Sequence, residues 1–351
     1  MRQSRKLEHL KYTMALNDGP GNTGFEEFHL VHNCLPDLVW DDVDLKTMVA
    51  GVKIKHPVII NAITGGAADV AIVNERLAEL ACRSGAAMAV GSQFSALENP
   101  EVLHSYEIVR KVNPNGVIFA NLGAHTTPDQ ARRAVEMIGA SALQIHLNVA
   151  QELIMPEGDR DFRGYLDNIA AIAADSQVPV IVKEVGCGIA LEQAKALVDA
   201  GVKAVDAGGR GGTNFLAIEA ARGNNDLADG TLNWGIGTAI SAVEIMSVLP
   251  DNVDLIVSGG IRSSLDAVKA LTIGGRAVGI AGPVVKMLKK HGLDIAEEWL
   301  KSYLDEIKRY MVLLGAAEIR DLSRVPLVIT GFSREWLNAR GVDIEKYVDR
   351  H

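Results

Sequence analysis

The stretch DLIVSGGIRSSLDAVKALTIGGRAVGIAGPVV, residues 254–285, contains two β-branched apolar runs, DLIVSGG (254–260) and RAVGIAG (276–282). Each run ends in glycine, and a segment of helical periodicity separates them. Strand, helix and strand in that order predict a βαβ unit with parallel strands. The same alternation recurs upstream at VIINA (58–62), AAMAV (86–90), VIFAN (117–121), LQIHL (143–147), VPVIVKEV (178–185) and KAVDAG (203–208). Between two of these lies VNERLAELACRSG (73–85), where Leu77, Leu80 and Ala81 share one helical face and Gly85 stops the helix. Eight strand-helix units fit a closed TIM (β/α)8 barrel better than an open doubly wound sheet.

The expected architecture is therefore α/β in a single domain: an N-terminal arm or lid (1–57), a TIM barrel (58–291) and a C-terminal helical extension (292–351). A long helix is expected from Ile295 to Gly315. The stretch NDGPGNTGF (17–25) and the long sixth loop, 209–234, are too polar and irregular for core and read as lids.

Composition narrows the function classes. Apolar residues at 48% and charged residues at 23% of 351 exclude a disordered or collagen-like chain. The net charge of −9 has the wrong sign for a broad nucleic-acid surface. An anionic ligand would need a local cation, a helix N-terminus or a metal. The three scattered cysteines, Cys34, Cys82 and Cys187, suggest neither a disulfide framework nor a zinc site, which predicts a reducing, cytoplasmic setting. No signal-peptide apolar region and no run of about 18 apolar residues appears, so neither secretion nor a membrane span is expected.

In a TIM barrel the site is built from the loops after the strands. Ser258-Gly259-Gly260-Ile261-Arg262 followed by Ala281-Gly282-Pro283 places glycine-rich turns at consecutive strand ends, where backbone amides and a helix N-terminus can hold a phosphate. Lys183 ends an apolar strand and should point into the mouth. It would meet an anion there, pair with Glu184, or serve as a Schiff-base nucleophile. His146 and Asn148 share one side of the fourth strand, with Gln151 and Glu152 in the loop after it. One carboxylate among neutral donors suits Mg2+, while His146 is either an acid-base group or a satisfied core histidine. Arg5 and Lys6 read as a solvated terminus or as an arm offering cations to an anion.

Taken together, these motifs resemble the type 2 isopentenyl-diphosphate isomerases, FMN- and Mg2+-dependent TIM-barrel enzymes. The resemblance rests on Arg5-Lys6 with Glu8-His9, AlaIleThrGlyGly (62–66), ValGlySerGln (90–93), AsnLeuGlyAla (121–124), GlnIleHisLeuAsn (144–148), Gln151-Glu152, LysGluValGly (183–186), GlyGlyThr (211–213), SerGlyGlyIleArg (258–262) and Ala281-Gly282, in the family's order. It implies FMN against Ala62, Ile63, Thr64, Ser92, Asn121, Lys183 and Thr213, with its phosphate at Gly259, Gly260, Ile261, Arg262, Ala281 and Gly282. Arg5, Lys6 and Gln151 would bind a diphosphate substrate, and Glu152 would hold its Mg2+. The reaction implied is interconversion of isopentenyl and dimethylallyl diphosphate by a 1,3-proton shift in isoprenoid biosynthesis. Reduced FMN itself would act as acid and base, assisted by Gln151 and His146, with NADPH as reductant. A homo-oligomer, tetrameric or octameric, is implied as well.

Two positions depart from the family pattern: Phe94, where many members have Arg, and Gly208-Gly209-Arg210, where AlaGlyAla is common. Arg210 is expected to supply the cation that position 94 lacks. The nearest rival is an FMN-dependent 2-hydroxy-acid oxidase, whose base His lies before the seventh strand. No His occurs between His146 and His291. A non-catalytic flavin barrel would have no use for Arg5, Lys6, Gln151 and Glu152.

Overall fold

The computed structural model describes residues 2–16, 21–63, 65–66 and 70–350, with the side chains of 2–7 and 10 excepted. Eight parallel strands close into a barrel: β1 (Val58–Ile60), β2 (Ala87–Ala89), β3 (Ile118–Gly123), β4 (Ala142–Leu147), β5 (Val180–Glu184), β6 (Ala204–Asp206), β7 (Asp254–Ser258) and β8 (Ala277–Ile280). Each strand pairs with the next, and β8 returns to β1 through Val278 opposite Val58. All eight coincide with the apolar runs of the sequence.

Strand periodicity sorts the side chains. Val58 and Ile60 face the helical layer, whereas Ile59 joins Ala87, Phe119, Ala142, Ile181, Ala204 and Ile256 in the barrel interior. Two residues further along the same inward face, the residue type switches from apolar to polar: Ile59 gives way to Asn61, Phe119 to Asn121, Ala142 to Gln144, Ile181 to Lys183, Ala204 to Asp206 and Ile256 to Ser258. The barrel is thus dry at the strands' N-terminal end and polar at their C-terminal end, which is where the site forms.

The helices follow the same logic of buried stripe and defined ends. Thr127 with Gln130 and Ser263 with Asp266 form capping boxes, and Gly85 closes its helix in the left-handed conformation. The long C-terminal helix, Leu293–Leu314, lies outside the barrel and buries Ala296, Leu300, Tyr303, Ile307, Met311 and Leu314, spaced three or four apart.

The segment 1–57 is not one lid. Residues 2–15, read from the sequence as either a solvated terminus or an arm, form a helix that packs against the helices Phe215–Gly223 and Gly282–His291. Thr47–Val49 and Val52–Ile54 form a hairpin whose Val49 and Ile54 plug the dry end of the barrel, opposite the site. Phe28–Leu30 pairs antiparallel with Leu327–Ile329. The long sixth loop also contains ordered structure: Phe215–Gly223 is a helix that buries Leu216, Ile218, Glu219 and Ala220. Part of NDGPGNTGF, residues 17–20, lies outside the described residues.

His56, between the hairpin and β1, is 4% exposed, and burial pushes its pKa down from 6.5 to about 4, a Ser84 backbone contact opposing the shift. Between those values the unfolded chain binds a proton that the folded chain refuses. Stability therefore falls by about 3 kcal/mol as pH drops from about 6.5 to 4, at 1.36 kcal/mol per unit. Urea unfolding of the wild type and His56→Gln at neutral and acid pH checks this. The variant should lose less stability on acidification, and an equal loss would exclude His56 as the cause.

Candidate active site

A cavity of about 410 Å3 opens at the C-terminal end of the barrel. Its walls include Ala62, Ile63, Ser92, Asn121, His146, Gln151, Glu152, Lys183, Thr213, Gly259 to Arg262, Ala281 and Gly282, so the structure brings nearly all the expected residues to one place. Thr64 and the side chains of Arg5 and Lys6 lie outside the described residues. His9, three positions beyond Lys6 on the N-terminal helix, lines the cavity.

One side of the cavity is a glycine cradle. The helix Gly282–His291 begins there with no side-chain cap, and although Pro283 has no N–H, the amides of Gly282 and Val284 are placed for a ligand. The helix after β7 differs: Asp266 accepts from Arg262 N and Ser263 N, so its own capping box already uses those donors. Gly259 and Gly260 have φ of +107° and +74° and pack directly on the backbone of Gly209 and Gly211. The Arg262 guanidinium donates to Gly211 O (2.6 Å) and Gly260 O (3.1 Å), tying the two loops together. A space bordered by an uncapped helix N-terminus, Thr213 and side-chain-free glycines fits a phosphate of the FMN type.

Lys183 is buried at the end of β5 and donates to the Glu184 backbone carbonyl (2.8 Å). Burial pushes the Glu184 carboxyl up to about 7, against the N–H groups of Cys187 and Gly188 that favour its charged form.

The other side is a cluster around Glu219, a fully buried carboxylate that the sequence reading did not single out. Its Oε1 accepts from Gln151 Nε2 and His9 Nε2, both at 2.7 Å, and its Oε2 pairs with Arg222, which also holds Glu8 and Glu157. Burial would raise the Glu219 pKa, but the hydrogen bonds from His9, Gln151 and Arg222 outweigh it and hold the carboxyl below its ordinary value. The signal was a lone acid among apolar residues in FLAIEAAR (215–222). Gln151 and Glu152 stand on a short helix, Val149–Ile154, rather than in a loop. Glu152 accepts from Asn148 Nδ2 (2.9 Å) and Asp159 N (3.0 Å), which leaves one oriented carboxylate at the cavity wall.

Arg210 does not face the cavity. It donates to Asn233 O (2.8 Å) and lies beside Gly21 and Trp234 in a separate crevice, because the bridge between Arg210 and Gly237 turns this stretch away from the mouth. The expectation that it supplies a substrate cation is therefore corrected. Arg210→Ala is expected to leave the substrate KM unchanged, and a raised KM in steady-state kinetics would restore the earlier reading. Phe94 lines the cavity and meets His125 edge to face at 4.7 Å.

The FMN-dependent dehydrogenase family profile matches residues 160–328. A protein of Symbiobacterium thermophilum named isopentenyl-diphosphate delta-isomerase is 47% identical over 100% of this chain and 99% of its own. One of the same name from Moorella thermoacetica is also 47% identical, over 97% of both chains. Among solved structures, a mandelate oxidase variant with a monooxide FMN adduct superposes with a TM-score of 0.66 at 19% identity, over 91% of this chain and 95% of that one. Mandelate oxidase with (S)-2-phenylpropionate gives 0.66 at 19% identity, over 93% and 97%. At that identity the likeness is one of fold.

Proposed function

The chain belongs to the isopentenyl-diphosphate delta-isomerases, and from that premise we propose how its residues share the reaction. It is an FMN-dependent enzyme that interconverts isopentenyl and dimethylallyl diphosphate. The observation that carries the assignment of roles is the reach of one cavity from the glycine cradle to the cluster of His9, Gln151 and Glu152. A flavin phosphate suits the first end and a substrate diphosphate the second.

Reduced FMN, with NADPH proposed as its reductant, would supply acid-base chemistry at the allylic carbons when bound. Gly259, Gly260, Ile261, Ala281, Gly282 and Thr213 would hold its phosphate, with Arg262 fixing the loop that carries them, while Ala62, Ile63, Ser92, Asn121 and Lys183, and Thr64 beside them in sequence, would meet the ring and ribityl chain. Arg5 and Lys6, on the N-terminal helix, would supply cations to the diphosphate. Gln151, pinned by ionised Glu219, orients the substrate, and His146 assists proton movement at the imidazole. Ile63, Met155 and Phe215 line the cavity with apolar surface that keeps water from a cationic transition state.

Among the described residues no three His, Cys, Asp or Glu side chains form a metal-binding group. Mg2+ would thus ride on the diphosphate and draw one ligand, Glu152, from the protein, as Mg2+ sites commonly do. Glu152→Gln is expected to raise the Mg2+ concentration needed for half-maximal activity about tenfold, measured by titration in the anaerobic assay. An unchanged requirement would remove Glu152 from the metal site. The broader test is anaerobic turnover of isopentenyl diphosphate with FMN, NADPH and Mg2+, with and without EDTA. Turnover that stops with EDTA supports these roles, and turnover indifferent to EDTA refutes the metal.

We further propose a cytoplasmic homo-oligomer, a tetramer or octamer. Among the described residues no helix is long and apolar enough to cross a membrane. Leu35 and Val39, 82% and 62% exposed, supply apolar surface for contact between copies, to be checked by light scattering.

A further inference from the structure

Beneath the cavity, polar side chains form an unbroken hydrogen-bonded chain across the barrel. Ser258 Oγ donates to Asp206 Oδ1 (2.6 Å), and Asn61 Nδ2 donates to Asp206 Oδ2 (3.0 Å). Gln144 Nε2 donates to Asn61 Oδ1 (3.1 Å), and Asn121 Nδ2 donates to Gln144 Oε1 (3.1 Å). His146 Nδ1 meets Asn121 Oδ1 at 2.9 Å.

The direction of this chain is dictated by chemistry. A carboxylate accepts and cannot donate, so Asn61 must turn its N–H toward Asp206 and its oxygen toward Gln144. The Ala62 N–H, 2.9 Å from Asn61 Oδ1, enforces the same orientation. Each further amide then has one arrangement left, and the sequence of donors ends on an oxygen facing His146 Nδ1. That nitrogen must carry the proton. Asp206 and Gln144 are fully buried and do not border the cavity, so neither can touch a ligand directly.

We propose that Asp206 and Gln144 are positioning residues that hold neutral His146 in its Nδ1–H tautomer, which makes Nε2 the nitrogen able to take up a proton. The consequence for catalysis rests on the assignment of the mouth as the reaction site, but the tautomer is read without turnover, so the two can fail separately. One well-made buried hydrogen bond supports a preference of roughly tenfold for the Nδ1–H form.

The test is solid-state 15N NMR of histidine-labelled, FMN-loaded protein at about pH 8, above the ordinary histidine range, with His146 assigned through His146→Gln. In the wild type, Nδ1 of His146 should read as protonated and Nε2 as unprotonated. Gln144→Met keeps the volume but breaks the chain, freeing the Asn121 amide to turn. Both tautomers should then populate. Asp206→Asn, a second variant of native shape, should shift the ratio in the same direction. A shift in Gln144→Met alone keeps Gln144 as the link and overturns Asp206 as its anchor. An unchanged Nδ1–H tautomer in both folded variants, or two protonated nitrogens in the wild type, overturns the proposal.

Discussion

Gly259→Ala is expected to yield a folded barrel that no longer retains FMN. The Gly259 backbone has φ of +107°, where a side chain costs roughly 1–2 kcal/mol. Its added Cβ would lie 2.3 Å from Gly209 O and 2.6 Å from Gly209 N, both backbone atoms with no rotamer to move. The loop after β7 would have to lift off the loop after β6, taking with it the Thr238 hydroxyl that donates to Gly259 O and the Arg262 bonds that join the two. A displacement costing about 3 kcal/mol, if drawn from cofactor binding, weakens FMN by more than a hundredfold. The flavin-to-protein absorbance ratio after purification and a fluorescence titration with FMN measure this directly, with circular dichroism reporting the fold. Retention of FMN at wild-type affinity would show that the cradle is not the phosphate site.

The second large effect is expected at Glu219. Glu219→Gln keeps the shape but removes the charge that three donors converge upon. Arg222, 11% exposed, then keeps only its outer partners Glu8 and Glu157, while Gln151 and His9 compete for one amide oxygen. Breaking a buried pair from one side costs about 3–5 kcal/mol. We expect kcat/KM to fall at least about a hundredfold with FMN content unchanged, since none of these contacts touches the glycine cradle. The wild-type carboxyl also titrates below its ordinary value, so its stabilising contribution is present above pH about 4.5 and is lost as pH falls through the lower folded value. Glu219→Gln should therefore flatten the acid limb of a thermal-stability profile. Wild-type kinetics in this variant would reduce the cluster to a structural contact between the N-terminal helix and the barrel.

The barrel was legible because parallel strands covered on both faces read as continuous β-branched runs, and each run here is bounded by glycine or polar loops. The site was legible where it depends on backbone, as in SerGlyGlyIleArg (258–262), since glycine marks a chain path as much as a residue. Glu219 and Arg222 were not, because their meaning comes from partners on the N-terminal helix and on the short helix and turn after β4, more than 60 positions away in sequence. The plugging hairpin at 47–54 looked like more arm because its apolar residues, Val49 and Ile54, are too few to signal a buried element by themselves. The polar chain under the mouth had left a trace: Asn61, Gln144, Asp206 and Ser258 interrupt otherwise apolar strands at the inward alternation. Periodicity could place them inside but not pair them, since pairing is set by barrel closure.

The short ladder that joins Phe28–Leu30 to Leu327–Ile329 links partners such as Leu30 and Leu327 that are nearly the whole chain apart. During synthesis at roughly 5–20 residues per second, the first of these strands emerges about 15–60 s before its partner exists. The nascent barrel must therefore complete its eighth strand and long outer helix while its amino-terminal segment waits unpaired. The seam therefore closes only after all eight barrel strands and the long outer helix have been made, so its closure reports that the barrel is complete.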